Sequence, residues 1–115
     1  MSASSLQTAA LAAYQHGDFA SAAARFEEAA SAFRAEGDRA MAAEMLNNLG
    51  VAHRAAKNYS AALPAIETAL AEFRALGDIS RTAQALGNLG AVLLETGDLK
   101  RAADSLNESI SLLNP

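Results

Sequence analysis

Few side chains in this 115-residue sequence have types and spacings suited to covalent or acid–base chemistry. The two histidines, His16 and His53, stand 37 residues apart on what read as different helices. Neither has the company a metal site or a catalytic base requires, so His53 reads as a packing or wall residue. Glu27 and Glu28 are adjacent, which on a helix sets them about 100° apart rather than converging for acid–base work. Ser4, Ser5 and Ser80 lack a base at plausible spacing and read as cap or surface residues. Cysteine is absent, which excludes disulfides, thiolate metal sites and cysteine nucleophiles. No glycine-rich loop follows a strand, so no phosphate cradle is expected. The three methionines are too few for an adaptable stripe, and Met41 and Met45 read as packing residues. The expectation is a chain that is not an enzyme and holds no cofactor or metal. There remains a pair of amides, Asn48 and Asn88, placed 40 residues apart. An asparagine offers both donor and acceptor, so it can bond to a partner's backbone whatever the partner's side chains are.

Composition limits the elements that could position such amides. Hydrophobic residues make up 51% of the chain but aromatics only 5%, and 30 of the 115 residues are alanine. Alanine is the best helix former, whereas a sheet needs β-branched and aromatic residues. An all-α protein follows, with no disordered or disulfide-bound alternative. Nine basic against thirteen acidic residues give a net charge of −4, which disfavours a phosphate backbone, and no nucleic acid is expected. No segment approaches the run of apolar residues needed to span a bilayer, so no membrane is expected and the cytoplasm is the default compartment.

The sequence repeats at 40 residues without insertion. Phe33-Arg34-Ala35-Glu36-Gly37-Asp38 returns as Phe73-Arg74-Ala75-Leu76-Gly77-Asp78, and Asn48-Leu49-Gly50 returns as Asn88-Leu89-Gly90. Leu6, Leu46 and Leu86 keep the same spacing, as do Phe26, Ile66 and Leu106. Each period divides into two helices at Gly-Asp, where glycine suits the left-handed residue past one helix and aspartate suits the N-cap of the next. Lys57-Asn58 keeps the cap and loses the glycine. The predicted helices are 3–16, 19–36, 39–56, 59–76, 79–96 and 99–113, and joins this short make neighbours antiparallel. Gly50, Ala62 and Ala69 are expected where helix axes approach closely. Pro64 should bend its helix, removing one hydrogen bond at a cost on the order of 3 kcal/mol. The helix face expected to meet the third repeat is Ala61, Pro64, Ala65, Thr68 and Ala71. Its equivalents in the last helix, Arg101, Asp104, Ser105, Glu108 and Ser111, are polar, which predicts that the array ends there.

These residues resemble the tetratricopeptide repeat, whose pattern is W-x2-L-G-x2-Y…A-x3-F…P. Leu46 and Leu86 occupy the tryptophan slot, Leu49-Gly50 and Leu89-Gly90 match the Leu-Gly pair, and His53 and Leu93 replace the tyrosine. Ala62 and Ala102 match the alanine, followed by Ile66 and Leu106. The first repeat is degenerate, with Ala9-Ala10 for Leu-Gly. The period of 40 rather than 34, together with Asn48-Leu49-Gly50 and Asn88-Leu89-Gly90, is similar to the branch found in kinesin light chains and Leu-Gly-Asn-repeat adaptors.

The resemblance implies an α-solenoid of three helix-turn-helix repeats, about 1–37, 38–77 and 78–115, wound into a right-handed superhelix as one domain. Its concave face, lined by the first helix of each repeat, holds a peptide or protein segment in such proteins. Carried over, the lining is Gln7, Leu11 and Tyr14, then Glu44, Asn47, Asn48, Val51 and Arg54, then Gln84, Asn88 and Leu94. Arg54 is the one cation expected at the centre, beside Glu44 and Glu95. Of the two-carboxylate clamp that chaperone-binding members build, only Asn48 matches, so an acidic C-terminal tail is disfavoured. The leading expectation is a protein or peptide partner; the alternative is a homo-oligomer built through end faces or exchanged hairpins.

Overall fold

The joins between helices are built as one recurring backbone motif. At residues 17, 37, 57, 77 and 97 the amide donates to the carbonyl three residues back, and the next amide donates to the carbonyl five back. This pattern requires a left-handed residue, and Gly17, Gly37, Gly77 and Gly97 supply it with φ between 69° and 86°. Asp18, Asp38, Asp78 and Asp98 then accept from the backbone N–H three residues on, at 3.0–3.3 Å. The join at Lys57-Asn58 is the poorer copy. Lys57 takes φ 61° despite its side chain, a conformation costing about 1–2 kcal/mol for a residue with a Cβ. The expected cap at Asn58 is placed, but its side chain accepts from no backbone N–H of the helix; its Oδ1 accepts instead from the Ser60 hydroxyl at 3.3 Å.

The computed structural model describes residues 1–115 as six helices and no strand. They are α1 (Ala3–Gln15), α2 (Phe19–Ala35), α3 (Arg39–Ala55), α4 (Tyr59–Ala75), α5 (Ile79–Thr96) and α6 (Leu99–Leu113). The boundaries fall within one residue of those predicted. Consecutive helices form three hairpins stacked as a helical solenoid. None of the helices is long and apolar enough to cross a membrane.

Close approach within the hairpins explains the repeated glycine. A Cβ at Gly50 would lie 2.3 Å from Ile66 Cγ1, and one at Gly90 would lie 2.6 Å from Leu106 Cγ. Ala10 takes the equivalent place in the first hairpin and is fully buried. Fourteen of the 25 buried apolar residues are alanine, so the helices pack through small side chains, with Phe26, Met45, Ile66, Phe73 and Leu86 filling the remaining space. α4 runs unbroken through Pro64, which is exposed on the solvent side. The Ser60 carbonyl that loses its partner belongs to an exposed residue, so water can replace the missing donor.

The core is unevenly shared. One cluster of 13 buried residues runs from α1 through α2 into α3, whereas the second and third hairpins hold smaller clusters of six and four. α4 and α5 accordingly pack over less surface than α2 and α3.

The ends differ from expectation. Pro64, Thr68 and Ala71 are exposed, and Ala65 packs back onto the first cluster. The α4 side that packs with α5 carries Tyr59, Leu63, Ile66 and Leu70. Its equivalents in α6 are Leu99, Ala103, Leu106 and Ile110, and Leu99, Ile110 and Leu113 are 63%, 58% and 61% exposed. The last helix thus presents an apolar face, not the polar one predicted. The stripe of α4 that makes the contact lies about half a turn from the one expected to make it. Leu112 is half-buried. At the other end, Ser5, Ala9 and Ala12 stand where Met45, Leu49 and Ala52 are buried, so the outward face of α1 is small and polar.

Candidate functional site

The first helices α1, α3 and α5 share one face, and its two seams are built differently. Helices α3 and α5 approach each other directly, and three side-chain pairs join them. At one end Arg81 Nε lies 3.6 Å from Glu44 Oε1, and Arg81 also reaches Asp78. In the middle the Asn88 amide donates to Asn47 Oδ1 at 3.1 Å. At the other end Arg54 Nε donates to Glu95 Oε1 at 2.7 Å. The Tyr59 hydroxyl and the Arg54 guanidinium beside it hold the Glu95 carboxyl below the usual carboxylate range. The same proximity raises the Tyr59 hydroxyl above its ordinary value.

The seam between α1 and α3 carries no such pairs. Leu11, Tyr14, Phe26, Asn48 and Val51 line an open pocket of about 110 Å³ there. Phe26 is its buried floor, and Leu11 stands 43% exposed at its rim. Tyr14 is oriented by Phe19, with ring centroids 5.2 Å apart and planes tilted by 58°. Asn48 is half-buried at the edge and its amide makes no side-chain bond within the chain. Gln7, one repeat before Asn47, is half-buried and does not take up the bond that Asn47 accepts from Asn88.

The two asparagines that the repeat makes equivalent are therefore unequal. Asn88 spends a donor on Asn47, whereas Asn48 is free. Asn47, expected to line the face, is only 3% exposed and serves as an internal acceptor. Glu44 lies with Arg81 rather than beside Arg54, because ten residues of α3 separate it from Arg54. Gln84 and Leu94 are exposed, Leu94 by 51%, but they fall outside the pocket. Sequence reasoning misses Phe26 as a pocket floor and Tyr59 as a partner of Glu95, since both belong to second helices whose apolar residues read only as core. The spacing signal for Phe26 is present in its repeat with Ile66 and Leu106.

The potential catalytic groups are scattered. His16 Nδ1 lies 2.7 Å from the Ala12 carbonyl in its own helix, and Glu28 pairs with Arg25 at 3.0 Å. No three His, Asp or Glu side chains converge as metal ligands would.

Residues 41–114 match the family model described as "Tetratricopeptide repeat". The match omits the first hairpin, where Ala9-Ala10 replaces Leu-Gly. Among solved structures, the chain is similar to the crystal structure of BtubC (BKLC) from P. vanneervenii, with 27% identity and a TM-score of 0.89. That similarity covers 96% of this chain and 46% of the other, so the chain spans less than half the length of this relative. Comparison with curated proteins finds no match. The family model spans well over half of the chain, and the helical hairpins, the Leu-Gly contacts and the 40-residue period agree with it: the chain belongs to the tetratricopeptide repeat family.

Proposed function

We propose that this protein is a non-enzymatic interaction module that binds an extended peptide or protein segment across α1, α3 and α5. Repeats of this family act as protein-interaction scaffolds. The observation that carries the reading is the open α1/α3 seam. An apolar pocket the size of one side chain lies beside an amide with free donor and acceptor. An apolar anchor of the partner enters between Leu11, Tyr14 and Val51, and Asn48 bonds the adjacent backbone. Asn88, Asn47, Glu44 and Arg54 act as a buttress that fixes the spacing of α3 and α5; Gln7, Gln84 and Leu94 extend the lining. The interior of a cell, where such partners are abundant, is the proposed location.

Selection from a phage-displayed peptide library tests this. Enriched peptides should carry a large apolar residue, and the double variant Leu11→Asp, Asn48→Ala should weaken them at least tenfold while keeping its helical circular dichroism. Unchanged binding by the double variant overturns the reading.

A second reading, self-association through the last helix, is favoured by the exposed Leu99, Ile110 and Leu113. Light scattering over a wide concentration range tests it. A concentration-dependent mass that reverts to monomer in Ile110→Glu supports it, and a constant monomer mass removes it.

A further inference from the structure

Six of the seven arginines are paired with carboxylates: Arg25, Arg39, Arg54, Arg74, Arg81 and Arg101. Arg34 alone has no such partner. It lines a cavity of about 350 Å³ between α2, α3 and α4, together with Arg39, Ala42, Ala43, Leu46 and Glu72. That volume lies at the small end of the range for ligand pockets, about 300–1,000 Å³. None of these residues belongs to the pocket at Leu11 and Asn48, so a ligand of this cavity is independent of any segment bound at the α1/α3 seam.

The repeat supplies a template for what Arg34 lacks. Forty residues on, Arg74 donates to both oxygens of Glu108, at 2.6 and 3.1 Å. This guanidinium holds the Glu108 carboxyl below the usual carboxylate range. The residue equivalent to Glu108 beside Arg34 is Thr68, whose hydroxyl donates to the Pro64 carbonyl in its own helix at 2.9 Å. The carboxylate is therefore missing from an otherwise repeated arrangement. Glu72, the acid at the rim, does not replace it, because Arg39 engages both its oxygens at 3.1 and 3.3 Å. The unpartnered guanidinium lines a cavity whose other walls are Ala42, Ala43 and Leu46 together with the mutually paired Arg39 and Glu72. A fork of N–H donors beside an apolar floor matches a carboxylate carried on an aliphatic stem.

We propose that this cavity binds a peptide carboxylate, seated on Arg34 as Glu108 is seated on Arg74, with an aliphatic neighbour on Ala42, Ala43 and Leu46. A glutamate side chain and a C-terminal carboxylate share this chemistry, and the test separates them. The protein labelled with nitrogen-15 is titrated with acetyl-Leu-Glu-amide, with its neutral isostere acetyl-Leu-Gln-amide, and with acetyl-Leu-Leu bearing a free C-terminus. Amide signals of Ala42, Ala43 and Leu46 should shift with at least one acid, at concentrations at least tenfold lower than with the glutamine peptide. The more potent acid identifies the source. Arg34→Gln should abolish the response. Thr68→Glu, which supplies an internal carboxylate at the repeat-equivalent position, should weaken it at least tenfold while preserving the spectrum of a folded chain. An equal response to the glutamine peptide, no response to either acid, or undiminished binding by folded Thr68→Glu overturns the proposal.

Discussion

The junction between the first and second hairpins and the junction between the second and third are held by opposite means. At the first, apolar packing is continuous, and a single cluster runs from Ala3 through Phe26 and Phe33 to Met45 and Leu49. The exposed seam between α1 and α3 can then remain unpaired, with Asn48 free and the pocket open. At the second, the apolar core is divided, and α4 meets α5 over less surface. There the polar pairs Glu44–Arg81, Asn47–Asn88 and Arg54–Glu95 span α3 and α5. Burial is non-directional and scales with area, whereas hydrogen bonds fix a spacing. One junction is thus stabilised from beneath and leaves a binding surface, while the other spends its surface groups on holding two helices in register.

The strongest way to break this contrast is to remove the floor of the open seam. Phe26 is 2% exposed, and Phe26→Ala should cost about 3–5 kcal/mol, read as a lower urea midpoint. It should also unfold the first hairpin before the others, visible as early loss of hydrogen-exchange protection in α1 and α2.

Cutting the polar junction should cost less. Asn88→Ala leaves the buried Asn47 oxygen without its donor, an expected loss of about 1–3 kcal/mol. Asn48→Ala, the same substitution one repeat earlier, should change stability by no more than about 0.5 kcal/mol. Equal effects in chemical denaturation would show that the two asparagines are equivalent after all.

The open seam can also be made to resemble the closed one. Gln7→Asn places at position 7 the side chain found at Asn47, within the pattern by which Asn88 reaches Asn47. A new bond from Asn48 should add about 0.5–1.5 kcal/mol and reduce peptide binding, both measurable on one sample by calorimetry.

The smallest effect concerns the rim. Glu95 has its pKa lowered from 4.5 in the folded chain by Tyr59 and Arg54. Its contribution is therefore complete above about pH 4.5 and is lost as the pH falls through the lower folded value. Glu95→Gln should flatten that part of the stability–pH curve and leave neutral-pH stability little changed, since the pair is exposed.

Much of the fold is legible in the residues. The Gly-Asp joins, the 40-residue period and the alanine excess place six helices to within one residue, because caps and left-handed joins are local and need no distant partner. Leu49-Gly50, repeated as Leu89-Gly90, marks a close contact between helices, because a Cβ at either glycine would clash with Ile66 or Leu106. The site is legible only in part. Asn47, Asn48 and Asn88 all read as lining, yet one is buried, one is free and one is bonded across the seam. The stripe of α4 that meets α5 is misplaced by the pattern alone, and with it the character of the last face. The cavity at Arg34 escapes notice, since a lone arginine in a helix gives no sign of whether a carboxylate faces it.

By itself, then, the sequence determined the helices, their joins and their repeat, all set by interactions within a few residues of one another. Tertiary structure alone decided which asparagine is free, which arginine lacks a partner and which end is apolar. Those outcomes depend on how the helices are rotated against each other, and a rotation about the helix axis changes every pairing while leaving the period intact.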